Sequence, residues 1–147
     1  MKKHYVKLML NKRVICKKCE VANNPITRFK GLMFRKELEK GSALLIEPCN
    51  EIHTFSMKFP IDVVTLSKDN VVLTVFDSVP PSMVMPPVKT GRKVIELNAG
   101  DAKLLGINRG DKLSKQTDLK IFNTRYKKSG TIQQKQRKRK NKRVGGF

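Results

Sequence analysis

The stretch EIHTFSMKFPIDVV, residues 51–64, decides how this chain folds. It is mostly apolar and reads as buried, yet it carries His53, Lys58 and Asp62. Its second half runs into DVVTLS, a strand-like segment rich in β-branched residues. SKDN follows as a turn in which Asn70 can take a positive φ, and VVLTVFDSV returns as the partner strand. Upstream, SALLIEP reads as another buried strand. Downstream, PPSMVMPPVKTG holds four prolines and is expected to be an extended loop that covers a groove or packs over the sheet.

The pattern continues to both sides. Residues 6–10 and 14–21 are alternating runs split by NKR, a hairpin. ANNPITRF reads as loop, and ITRFKGLMFRKELEKG as a short helical segment with a break at Gly31, closed by Gly41. RKVIELNAG is one more strand, DAKLLGI a helical turn or two capped by Asp101, and NRGDKL a tight turn relieved at Gly110. TDLKIFNTRY is a possible edge strand. The sum is an α+β fold: a compact, mainly antiparallel, barrel-like β-sheet with two short helices over residues 1–126. Residues 127–147 are expected to form a disordered basic tail.

Charge narrows the partners. The chain of 147 residues carries a formal net charge of +20. Nine of its basic residues and none of its acidic ones lie in 127–147, so the tail and the remainder are both basic. Nucleic acid, an anionic membrane or an acidic protein are the natural partners of such a surface, and a solubilising surface and tail is the simpler reading. No apolar run approaches the roughly 20 residues of a spanning helix. The opening MKKHYVKLMLNKRV starts as a signal peptide would, but Lys7 and NKR interrupt it, so secretion is not expected. Three cysteines suit a reducing cytoplasm better than a disulfide framework.

Four blocks together resemble the domain-of-unknown-function family 192, also called uncharacterised protein family 0127. They are Arg28-x-x-Gly31-Leu32-Met33-x-Arg35-x-x-Leu38, then IHTFSMKFPIDVV, then Glu96-Leu97-x-Ala99-Gly100, then Gly106-Ile107-x-x-Gly110-Asp111. Order and spacing agree over about residues 5–115. The resemblance implies a strand-rich α+β fold with a small barrel-like sheet; it implies no particular activity. Ser56 departs from it, standing where the family often has a bulky aromatic.

Three groups of residues are candidates for function. Arg28 and Arg35, seven apart, share a helix face if Gly31 leaves the helix intact. With His53, Met57, Lys58 and Asp62 they could line a pocket, under the 80–91 loop, for a small anionic ligand. A catalytic version would use His53 as acid or base, Asp62 as its partner, and Thr54 or Cys49 as nucleophile. A structural version pairs Asp62 with Arg28 or Arg35 and satisfies His53 by backbone. Cys16, Cys19, Cys49 and His53 have the ligand count of a zinc site, but strand positions three apart face opposite sides unless the strand bulges. CKKC could be a redox pair, and packing cysteines are the simpler reading; no cofactor is expected. In the tail, Lys135, Arg137, Lys138, Arg139, Lys140, Lys142 and Arg143 could neutralise phosphates without reading sequence. The expectation is a non-enzymatic binding or interaction module whose tail contacts nucleic acid or another polyanion. The alternative is a small enzyme or ligand-sensing domain acting on an anionic molecule.

Overall fold

A computed structural model describes residues 2–117. The possible edge strand over TDLKIFNTRY, beyond its first residue, and the basic tail lie outside the described residues.

Seven strands form one sheet: β1 (His4–Leu10), β2 (Arg13–Ala22), β3 (Ser42–Ile46), β4 (Ile61–Leu66), β5 (Val72–Val79), β6 (Lys93–Asn98) and β7 (Leu113–Gln116). Their order is β5-β4-β6-β3-β2-β1-β7. Every neighbouring pair is antiparallel except β2 and β3, which run parallel. The outermost strands meet at one end. Val71 bridges Lys112, the Val72 N–H donates to the Asp111 carbonyl at 2.8 Å, and the Leu113 N–H donates to the Asn70 carbonyl at 3.0 Å. The sheet is therefore barrel-like, as expected.

Alternation along the strands divides the apolar residues between two layers. Val64 and Leu66 of β4 and Ile95 and Leu97 of β6 join residues from all the other strands inside the curved sheet. Ile61 and Val63 of β4 and Val94 of β6 face outward, against Leu32, Ile52, Met57 and Met85. β2 departs from simple alternation. Val6 pairs with Cys19 and Leu8 with Cys16, so one residue of β1, Lys7, opposes two of β2, Lys17 and Lys18. This bulge turns both cysteines into the inner core, where strict alternation would have separated them.

The first helix begins where sequence reasoning did not put it, and the second begins at Asp101 as expected. α1 (Pro25–Lys30) starts inside the expected loop. Asn24 Oδ1 accepts the Thr27 N–H at 2.9 Å, the Asn24 N–H donates back to the Thr27 hydroxyl at 3.3 Å, and Pro25 occupies the first turn. Asn-Asn-Pro is thus a helix start. Gly31, at φ 46 and ψ −126, ends the helix completely, and nothing helical continues to Gly41. The Phe34 N–H leaves the helix path to reach the Ser56 carbonyl at 3.0 Å.

α2 (Asp101–Leu104) packs Ala102 into the inner core. Its capping residue is Gly100, which has no side chain to offer, and Asp101 does not cap it. The acceptor comes from β4. Asp62, wholly buried, takes the Ala102 N–H on Oδ2 and the Ser78 N–H on Oδ1, each at 2.9 Å. One carboxylate therefore joins β4, β5 and α2. Asp62→Ala leaves two N–H donors without their partner, the one at Ala102 buried, and is expected to lower unfolding stability by about 2–4 kcal/mol. Asp62→Asn, which keeps one acceptor, should cost less. Urea denaturation with an unchanged slope measures both.

Candidate functional site

The outer layer of the sheet is covered by irregular chain, and the cover leaves a cavity of about 390 Å³. α1 and Gly31 form one wall, residues 48–53 with Met57 form the other, and Ile46 and Glu96 come from the sheet. On α1, Arg28 directs Nη1 to the Pro48 carbonyl at 2.8 Å, which ties helix to loop; its Nε is buried without a hydrogen-bond partner. His53 accepts the Phe55 N–H on Nδ1 at 3.3 Å, so the neutral ring carries its proton on Nε2. The same ring stacks on Phe55 at 5.2 Å between centroids and meets Phe29 at 5.9 Å. Burial pushes the Cys49 thiol up, the charge of Glu96 adds to this, and the charge of Arg28 opposes it. Cys49 thus feels both charged members of the cavity wall.

Glu96 is the most unusual group. Its strand lies between β3 and β4, where Glu96 pairs with Leu44 on one side and Val63 on the other. It is 3% exposed, and Oε2 has no partner. Burial raises the carboxyl to about 8, against an opposing pull from the Arg35 charge. Gly31 lies beside it: a Cβ there would meet Oε2 at 3.7 Å, an ordinary contact. At φ 46 a side chain would be strained, so backbone conformation is the reason for glycine here.

The expected site residues separate. Arg28, His53 and Met57 line the cavity. Arg35 does not share a helix face with Arg28, because Gly31 ends α1; it forms a two-pronged ion pair with Glu20 at 2.9 and 3.0 Å. Burial pushes the Glu20 carboxyl up, but Arg35 and Lys3 outweigh it and hold the group below its ordinary value. Lys58 is exposed and stands off the cavity lining. Asp62 shares its strand face with Val64 and Leu66, which puts the sheet between it and His53, and it pairs with neither arginine. The 80–91 loop buries Met85 in the outer layer and contributes nothing to the lining.

The cysteine alternative fails on the same geometry. Cys16 and Cys19 lie in the inner core, Cys49 and His53 on the outer side, with the sheet between them. Among the described residues no group of three or more His, Cys, Asp or Glu is placed to hold a metal. Burial raises both inner thiols, the reverse of what a redox pair needs. The seven basic tail residues between Lys135 and Arg143 lie outside the described residues.

Glu96 sets a pH dependence. Below its ordinary value of 4.5 both folded and unfolded chains hold the proton; from there to about 8 the folded chain binds more. Stability contributed by this group is therefore present at low pH and lost as pH rises through that window. Glu96→Gln should flatten the fall in urea midpoint between roughly pH 5 and pH 8 and be the more stable protein at the upper end.

Comparison with known proteins agrees with the architecture. The chain is similar to a protein of unknown function from Novosphingobium aromaticivorans, with a TM-score of 0.67, 24% identity, and coverage of 76% of this chain and 84% of that one. It is equally similar to a candidate transcription regulator from Sinorhizobium meliloti, with a TM-score of 0.67, 24% identity, and coverage of 78% and 94%. At that identity the likeness is one of fold. No curated protein matches the chain. The model of DUF192, an uncharacterised ACR family, matches residues 7–115, and the chain belongs to that family.

Proposed function

We propose that this protein is a non-enzymatic binding module that takes a small acidic molecule into the cavity between α1 and residues 48–57. One observation carries the reading: Arg28 Nε and Glu96 Oε2 are both buried, both unpartnered, and both belong to the wall of one cavity. Each such group costs about 1–3 kcal/mol unless something satisfies it. A ligand with an acidic oxygen for Arg28 and a carbonyl or hydroxyl for Glu96 would satisfy both. Near neutral pH Glu96 holds its proton and offers a donor.

Covalent catalysis fits less well. The Thr54 hydroxyl already donates to the Pro80 carbonyl at 2.7 Å and accepts the Met83 N–H at 2.9 Å. Cys49 donates to the Glu51 carbonyl at 3.1 Å and is held as the thiol. Neither is a free nucleophile. The test is thermal unfolding with inorganic phosphate, pyruvate and citrate. A binder present at a hundred times its Kd should stabilise the protein by about 2.7 kcal/mol, and Arg28→Met should lose that gain. Equal stabilisation of Arg28→Met, or none of the parent, would refute the reading.

A second interaction rests on the basic run, in which seven of the nine residues over 135–143 are Lys or Arg. We infer that this run binds nucleic acid or another polyanion by neutralising phosphates. Replacing the seven by Gln should weaken binding to homopolymeric RNA alike at every sequence. It should also flatten the plot of log affinity against log salt by about 0.7 for each phosphate no longer neutralised. An unchanged slope would remove the run from the interface.

A further inference from the structure

Eight large apolar side chains of the described residues are exposed, and six of them stand on neighbouring segments. Ile26 and Phe29 lie one turn apart on α1, a helix with no buried residue. Phe29 and Phe55 flank the His53 ring. The Phe34 N–H reaches the carbonyl beside Phe55, at Ser56. Val84 bridges His53, and Met83 is tied to Thr54 through both its N–H and its carbonyl. Exposure runs from 43% at Met83 to 72% at Ile26. Soluble domains seldom leave so many adjoining apolar side chains in water without a use for them.

We propose that this rim inserts into the surface of an anionic lipid bilayer. Charge selects that occupant. Arg28, Lys30 and Glu51 lie beside Phe29, and Lys2, Lys3, Lys30, Arg35 and Glu20 lie beside Ile26 and Phe34, so cations outnumber acids along the rim. A second copy of the chain would set those cations against their equals. A nucleic acid would want open ring faces, but one face of Phe55 is taken by His53, and Ile26, Met83 and Val84 have no ring. Aliphatic and phenyl groups ringed by Lys and Arg suit acyl chains beneath acidic headgroups. The inference depends neither on a ligand in the cavity nor on the basic run.

The full chain has no tryptophan, so Phe29→Trp makes a single reporter within the rim. Phosphatidylcholine vesicles containing a quarter phosphatidylserine should shift its emission to the blue, and bromine on the lipid acyl chains should quench it. Pure phosphatidylcholine should do neither. In sedimentation with the mixed vesicles, the double variant Ile26→Ser, Phe34→Ser should bind about tenfold more weakly or worse while melting where the parent does. Vesicle binding with an unshifted, unquenched reporter would overturn the proposal, because the tail alone would then hold the protein to the lipid. So would double-variant binding equal to the parent's. An oligomer of the parent that the double variant disperses, without vesicle binding by either, would assign the rim to a second copy instead.

Discussion

The centre of the sheet is buried on both faces, and the rest of the structure follows from that. All five residues of β3 and all six of β4 are buried, as are the middle four of β6. Strands buried on two sides need two covers. Curvature supplies the inner one, since the sheet wraps until β5 and β7 touch and encloses its own core. Among the described residues no helix is long enough to cover the outer face. α1 is six residues long and buries none of them, so the cover is made by the chain on either side of β3, residues 31–41 and 47–57, and by the proline loop. Irregular chain fills space less evenly than a helix, and the cavity lies under this cover.

The strands were legible because their signal is local. Alternation and turn residues sit within each segment, and Asn11, Lys12 and Asn70 take the positive φ that their turns require. The candidate site was not legible in that way. Residues 51–64 read as one run, but the chain leaves its loop at Ile61, and from there parity decides the side: Asp62 goes in with Val64, while Ile61 and Val63 go out. Proximity in sequence had suggested His53 and Asp62 as partners, and the pleat separates them. Arg28 and Arg35 part for a backbone reason, the conformation of Gly31. Glu96 went unnoticed as a site residue although it opens one of the four family blocks. Its burial comes from Leu44 and Val63, distant strands whose pairing no local pattern reveals.

Asp62 and Glu96 show how a fold distinguishes an anchor from a candidate site. Both are acids on central strands, both fully enclosed, and each pairs across the sheet with apolar neighbours. The end of α2 and the β5 backbone bring two N–H donors to Asp62, whose carboxylate does for a four-residue helix what a side-chain cap would. Nothing comparable reaches Glu96. Among the described residues the cation that acts on it, Arg35, is committed to Glu20, and the Gly31 N–H beside it is spent on the Thr27 carbonyl. An apolar residue at position 96 would pack against Leu44 and Val63 without the cost of an unpartnered oxygen. The carboxyl at 96 faces a cavity that also holds an unpartnered arginine nitrogen, and the ligand proposed for that cavity would bring the partner both lack.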